Sequence, residues 1–248
     1  MRQVADITVE TWLELQAIDV EDEFDRSCQV ISILRDMSLD EVLDMPAIEA
    51  TLIARDLLQL TYQMAKTPSS QILIDDEDFY PLPFEEITFG AFIDLESLFT
   101  KEYRDNVPKI LSILYRRQLS PGYALEPAKF EEYEAHHLQR SDLFLQVPVR
   151  LVHSHVAKYV AWRDKLLTAY EGLFGGSEDD DEGQDSERLT AEESKAKAHD
   201  ERVKKWSWQL LLWKLSNNNP LHMEEATRMP VLGAMNILSM IQELKIEQ

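Results

Sequence analysis

The residues best equipped for chemistry are scattered, and their spacing decides little in favour of catalysis. His153 and His155 lie two apart in VHSHV. On a helix that separation turns them about 200° from each other, so they do not form a chelating pair. Glu134 and His137 match Glu-x-x-His, the spacing of carboxylate-bridged di-metal bundles, but no second copy is present to complete such a site. Asp75, Asp76, Glu77 and Asp78 form an acidic cluster. An EF-hand loop needs alternating ligands and a glycine at the sixth position, and Tyr80 and Pro81 break that register. The single cysteine, Cys28, sits among apolar residues in CQVISILRD, with no nearby histidine to activate it. It reads as a buried structural thiol. There is no phosphate loop, dinucleotide fingerprint, nucleophile elbow, His-Glu-x-x-His or Cys-x-x-Cys pair. No catalytic residue, metal site or cofactor is predicted.

Aromatic and sulfur-bearing side chains carry the alternative, a binding face. Trp206, Trp208 and Trp213 surround LLL, and Trp206 and Trp213 are seven apart on nearly one helical face. Met235 and Met240 lie on the last amphipathic stretch. These five residues are the candidate partner contacts, because tryptophan is favoured at hot spots and methionine adapts to irregular surfaces. Packing within a core is the competing reading for all five.

Composition narrows the partner. The 248 residues hold 46 Asp and Glu against 25 Lys and Arg, a formal net charge of −21. Nucleic acid and anionic membrane both call for basic footprints, so neither is expected as a partner. No apolar run approaches the roughly 20 residues of a membrane span. The first residues, MRQVADITVETW, lack the apolar segment of a secretion signal. A soluble protein is expected.

The elements that must position these residues are mainly helical, with a small β-hairpin near 71–88. Residues 1–67 read as a helical segment. Asp6 or Thr8 caps a first helix with Val9, Trp12, Leu13 and Gln16 at three- and four-residue spacing. Phe24, Cys28, Ile31 and Leu34 or Arg35 line a second. Ser38 with Glu41 forms a capping box, and Pro46 opens a helix to about Lys66 whose core face is Ile48, Leu52, Ile53, Leu57, Leu60 and Met64. Residues 68–174 form a central α+β segment. Ile72 to Ile74 turn back near DDED, and Pro81 and Pro83 predict an edge position. Helices follow near Thr88–Lys101 and from Asn106 through VPKILSILYRRQL. Two more are expected over 127–171, the second capped by Ser141 or Asp142, with Pro148 kinking it or starting a new segment. Residues 175–190 carry seven acids in 177–187 and no apolar residue there, which predicts a disordered acidic insert. Residues 191–248 form a C-terminal helical segment broken at Asn217-Asn218-Asn219-Pro220, and the segments are expected to pack as one domain. LDEVLDMP at 39–46 and MEEATRMP at 223–230 read alike, each a short acidic helix before a proline that starts the next helix.

The order ISILRDMSLDEVLDMP, extended strands, ITFGAFIDLESL, PKILSILYRR, a charged stretch, a Trp-rich helix and a closing Pro-hydrophobic helix resembles tail-assembly chaperone-like proteins of tailed bacteriophages. The resemblance implies a non-enzymatic protein that holds tape-measure or tail-tube proteins in the host cytoplasm before assembly, without a cofactor. It equally fits a structural component retained in the virion, such as a head–tail connector or ring protein.

Overall fold

Side-chain caps fix where the first helices start. The computed structural model describes residues 7–61, 69–99, 104–120, 122, 128–174 and 207–244. Helix α1 (Val9–Gln16) begins at Thr8, whose Oγ1 accepts from the Thr11 amide at 3.2 Å. Helix α2 (Glu23–Arg35) begins at Asp22, which accepts from the amides of Phe24 and Asp25, and ends at Asp36 in the left-handed region. The Ser38–Glu41 capping box opens α3 (Leu39–Leu43), and Pro46 precedes α4 (Ala47–Thr61). Cys28, Ile31 and Leu34 of α2 are buried, as their spacing predicts.

The buried face of α4 differs from the expected stripe. Ala50, Ala54 and Leu57 are buried, whereas Ile48 is 79% exposed and Leu52 46% exposed. Helix α2 packs mainly on α4. The alanines let the two backbones approach closely, and that contact outweighs the bulk offered by the opposite stripe. The expected continuation to Lys66, with Met64, lies outside the described residues.

The β element is larger than a hairpin. Strands β1 (Ile72–Ile74), β2 (Glu77–Pro81), β3 (Tyr115–Ser120) and β4 (Lys129–Phe130) form one antiparallel sheet in that order. Asp75 and Asp76 make the β1–β2 turn, both with positive φ (49° and 63°). This is the backbone of a tight two-residue hairpin, where short polar side chains tolerate the left-handed region. The acidic cluster is therefore turn chemistry. Strand β2 is internal, contrary to the edge expectation. Pro81 is accommodated because it lies beyond the last β1 partner, opposite Tyr115 of β3.

One expected helix is shortened and another replaced. Helix α6 (Val107–Leu114) stops where YRRQLS turns extended as β3. Residues 128–140 hold β4 and the start of a 3₁₀ helix (Ala135–Phe144), and the next α-helix, α7 (Val149–Ala169), starts after Pro148, which opens a new segment as one of the two expectations had it. Neither Ser141 nor Asp142 caps it. Ladder pairing of Gln118 with Phe130 overrides local helix preference here.

The chain forms two compact units, 1–83 with 95–161 and 84–94 with 162–248. In the first, Thr8 and Pro148 form an isolated antiparallel bridge. The Val9 amide donates to the Val147 carbonyl (2.9 Å) and the Val149 amide to the Ile7 carbonyl (2.8 Å), so α1 and α7 start from one clasp. The second unit contains the start of α5 (Phe89–Phe99), helix α8 (207–215), α9 (Met223–Arg228) and α10 (Val231–Glu243). Here Thr88 bridges Pro230. The Phe89 amide donates to the Met229 carbonyl (2.7 Å) and the Val231 amide to the Ile87 carbonyl (2.9 Å). Asn217 and Asn218, both with positive φ, end α8 as the triple asparagine predicts. The acidic stretch 175–190 lies outside the described residues.

Candidate partner-binding groove

An apolar groove of about 490 Å³ opens in the first unit. Helix α1 contributes Trp12, α5 contributes Phe99, and α6 contributes Val107 and Leu111. Helix α7 forms the remaining wall with Val149, Val152, His153, Val156, Ala157 and Val160. These α7 positions follow three- and four-residue spacing, so one stripe of the helix lines the groove. Trp12 and Val156 are half-buried, and His153 and Ala157 are exposed. No carboxylate or permanent cation lines it. An opening of this composition takes up apolar side chains and offers almost no hydrogen bonds for a polar substrate.

A polar cluster lies on the sheet. Glu131 sits at its centre, its side chain 17% exposed. Its Oε1 accepts from Arg140 Nη2 at 2.6 Å and from the Arg117 amide at 3.3 Å, and His137 Nε2 lies 3.2 Å away. Burial alone would raise the carboxyl's pKa, but His137, Arg140 and the Arg117 amide together pull it down to about 2. Arg116 is buried, donating through Nε to the Ile113 carbonyl and through Nη1 to the Glu131 carbonyl. Desolvation lowers its pKa to about 10, against the opposing pull of Glu131, and its guanidinium lies 5.0 Å from the Tyr133 ring centroid. Arg117 pairs with Glu77 across the β2–β3 ladder. The cluster fastens β3 to the 3₁₀ helix. Its Glu131 and Glu77 carboxylates are paired with Arg140 and Arg117.

The Glu134–His137 pair belongs to this fastening. His137 Nδ1 lies 3.1 Å from the Glu134 amide nitrogen and 2.8 Å from the Glu134 carbonyl, and its Nε2 lies 3.2 Å from Glu131 Oε1. Among the described residues, no group of three or more His, Cys, Asp or Glu is placed to hold a metal. His153 and His155 point apart as expected. His155 is buried with its ring 5.2 Å from that of Tyr115, and burial pushes its pKa down to about 4. Cys28 is buried, and burial, then Asp25 and Asp22, raise its pKa.

The five residues proposed from sequence as partner contacts have different placements. Trp208 packs edge-on against Phe92 (5.3 Å) and Phe89 (6.3 Å) within the second unit. Met235 is fully enclosed and presents no surface. Trp213 and Met240 are exposed, at 39% and 48%. Trp206 lies outside the described residues. The groove itself was missed. The signal for it was present in the valines at 149, 152, 156 and 160, a stripe at three- and four-residue spacing along α7.

Among the described residues, no helix is long and apolar enough to cross a membrane. Comparisons with protein-family models, with curated proteins and with solved structures give no match.

Proposed function

We propose that the protein is a non-enzymatic assembly chaperone of a tailed bacteriophage, which transiently binds tape-measure or tail-tube proteins before they assemble. The observation that carries this reading is the open apolar groove bordered by Trp12, Phe99 and the α7 valines. A groove between helices suits an amphipathic helix laid in with its apolar face down. Tape-measure-like chains present such faces before assembly and need them covered. The net charge of −21 supports the same reading, because it keeps a complex with an apolar client dispersed and attracts basic clients at long range. Release at assembly requires modest affinity, which a groove lacking charged anchors provides.

The test is co-expression with the tail proteins of the same phage, followed by pull-down. Capture of a tape-measure or tail-tube protein is expected, together with absence of the chaperone from purified particles. Failure to capture any tail protein would sink the proposal. Stoichiometric recovery from purified virions by mass spectrometry would replace it with a structural role.

A further inference from the structure

The two clasps are built alike in both backbone and sequence. Residues 7–15 read ITVETWLEL and residues 87–95 read ITFGAFIDL, while the proline strands read VPV at 147–149 and MPV at 229–231. In each, the threonine opposes the proline, the residue after the threonine donates to the one before the proline, and the valine after the proline donates to the isoleucine. This register equates Trp12 with Phe92, Val152 with Ala234, His153 with Met235 and Val156 with Leu238.

Three of the four equivalent positions differ in cover, while Val152, like Ala234, is buried. In the second clasp Phe92, Ala234, Met235 and Leu238 are all buried, and Trp208 of α8 lies edge-on to Phe92. In the first, Trp12 and Val156 are half-buried, His153 is exposed, and all three border the 490 Å³ groove. The same scaffold is thus closed once, with an aromatic side chain from a helix, and open once.

We infer that the groove of the first clasp receives an amphipathic helix of another protein that inserts a tryptophan or comparably large aromatic side chain against Trp12, as Trp208 does against Phe92. The inference deepens the chaperone reading and rests on it only for the source of that helix. An aromatic anchor in an otherwise apolar slot supplies most of the affinity of such a contact. His153 stands where the closed clasp has methionine, so the open site is less apolar at its rim and binds more weakly than an internal contact.

The full chain, with its tryptophan indoles ¹⁵N-labelled, is titrated with an unlabelled synthetic peptide of residues 203–219 and with the same peptide carrying Trp208→Ala. The Trp12 indole resonance is expected to shift saturably with the first peptide, and the second to bind about tenfold more weakly. Ala157→Arg, an exposed substitution at the groove wall, is expected to weaken the first peptide at least about tenfold, and His153→Met to tighten it roughly threefold. Equal binding of the two peptides, unchanged binding to Ala157→Arg, or no shift at Trp12 would overturn the inference. Self-association of the unmodified chain that Ala157→Arg abolishes would put a second copy in the groove and overturn the assignment to another protein. Capture of tail proteins by Ala157→Arg as efficiently as by the unmodified chain would leave the chaperone reading standing and remove the groove from it. Peptide binding as specified with no tail protein captured would do the reverse.

Discussion

Replacing Glu131 by glutamine keeps its shape and removes its charge, which isolates what the carboxylate does for the sheet. In the folded chain it accepts from Arg140 and from the Arg117 amide, beside His137 Nε2, and its pKa falls from the ordinary 4.5 to about 2. The native state therefore holds fewer protons than the unfolded chain between those values. The stabilisation is complete above about 4.5 and is lost as pH falls through about 2. Linkage makes that difference worth roughly 3 kcal/mol. Glu131 and Arg140 keep 17% and 19% of their side-chain surface in solvent. Screening reduces the expected cost of Glu131→Gln to about 2 kcal/mol near neutral pH. Urea unfolding followed by circular dichroism, and amide exchange of β3, measure it. The gap between variant and parent should shrink by most of its size between about pH 5 and about pH 2, because acid protonates the parent's carboxyl and leaves the amide unchanged. A gap below about 0.5 kcal/mol at neutral pH, or one that persists undiminished in acid, would refute the carboxylate as the fastening group.

His155 works in a higher window. Its ring faces Tyr115, the Leu114 backbone and Lys158, and burial holds its pKa near 4 instead of 6.5. Stability is then full above about 6.5 and declines as pH drops toward about 4, by up to roughly 3 kcal/mol; His155→Gln should flatten that slope in pH-dependent urea unfolding, and an unchanged slope would count against it. A Cβ added at Gly90 would lie 2.9 Å from Thr227 Cβ and 3.2 Å from the Thr227 carbonyl oxygen. Overpacking outweighs the helix-propensity gain, so Gly90→Ala should lose about 1–2 kcal/mol in thermal unfolding, and a variant of equal or higher stability would show that α9 gives way freely. Ser38→Ala removes the hydroxyl that accepts from the Glu41 amide at 3.3 Å, and faster amide exchange across α3 with a loss of about 1 kcal/mol is the expected result.

Local chemistry made much of the fold readable. Thr8, Ser38 with Glu41, Pro46, the triple asparagine and Pro230 each act within a few residues, and each marks the boundary it predicts. The failures share a different cause. YRRQLS becomes strand because β2 is beside it, and AKFEEYEAHHL yields a strand and a 3₁₀ helix because Glu131 must reach Arg117, His137 and Arg140. Those partners lie 6 to 14 positions away in sequence, beyond any helical period. The α4 face was misread because bulk marked Ile48 and Leu52 as interior, whereas proximity to α2 rewards the small Ala50 and Ala54. The groove was half legible. Its α7 wall is a stripe of valines, but the other walls come from α1, α5 and α6, which no local pattern assembles.

The likeness between LDEVLDMP and MEEATRMP illustrates how a correct local reading can pair the wrong copies. Both are short acidic helices followed by a proline at a helix start, and both behave that way. Yet Pro46 enters no bridge among the described residues, while Pro230 and Pro148 each oppose a threonine at the start of another helix. A proline fits such a bridge because its neighbours on either side supply the carbonyl and the amide, and its own missing N–H faces away from the ladder. The duplicated feature is therefore the clasp, made of two segments far apart in sequence. Acidic residues before the proline only keep the preceding turn in water. What distinguishes the copies is what lies over them. A scaffold repeated twice needs the same apolar positions covered twice, and among the described residues Trp208 lies over one copy. The difference between Met235, enclosed, and His153, exposed on the corresponding turn, then has a physical cause in the cover each clasp receives, and it locates the surface where an outside helix would complete the second closure.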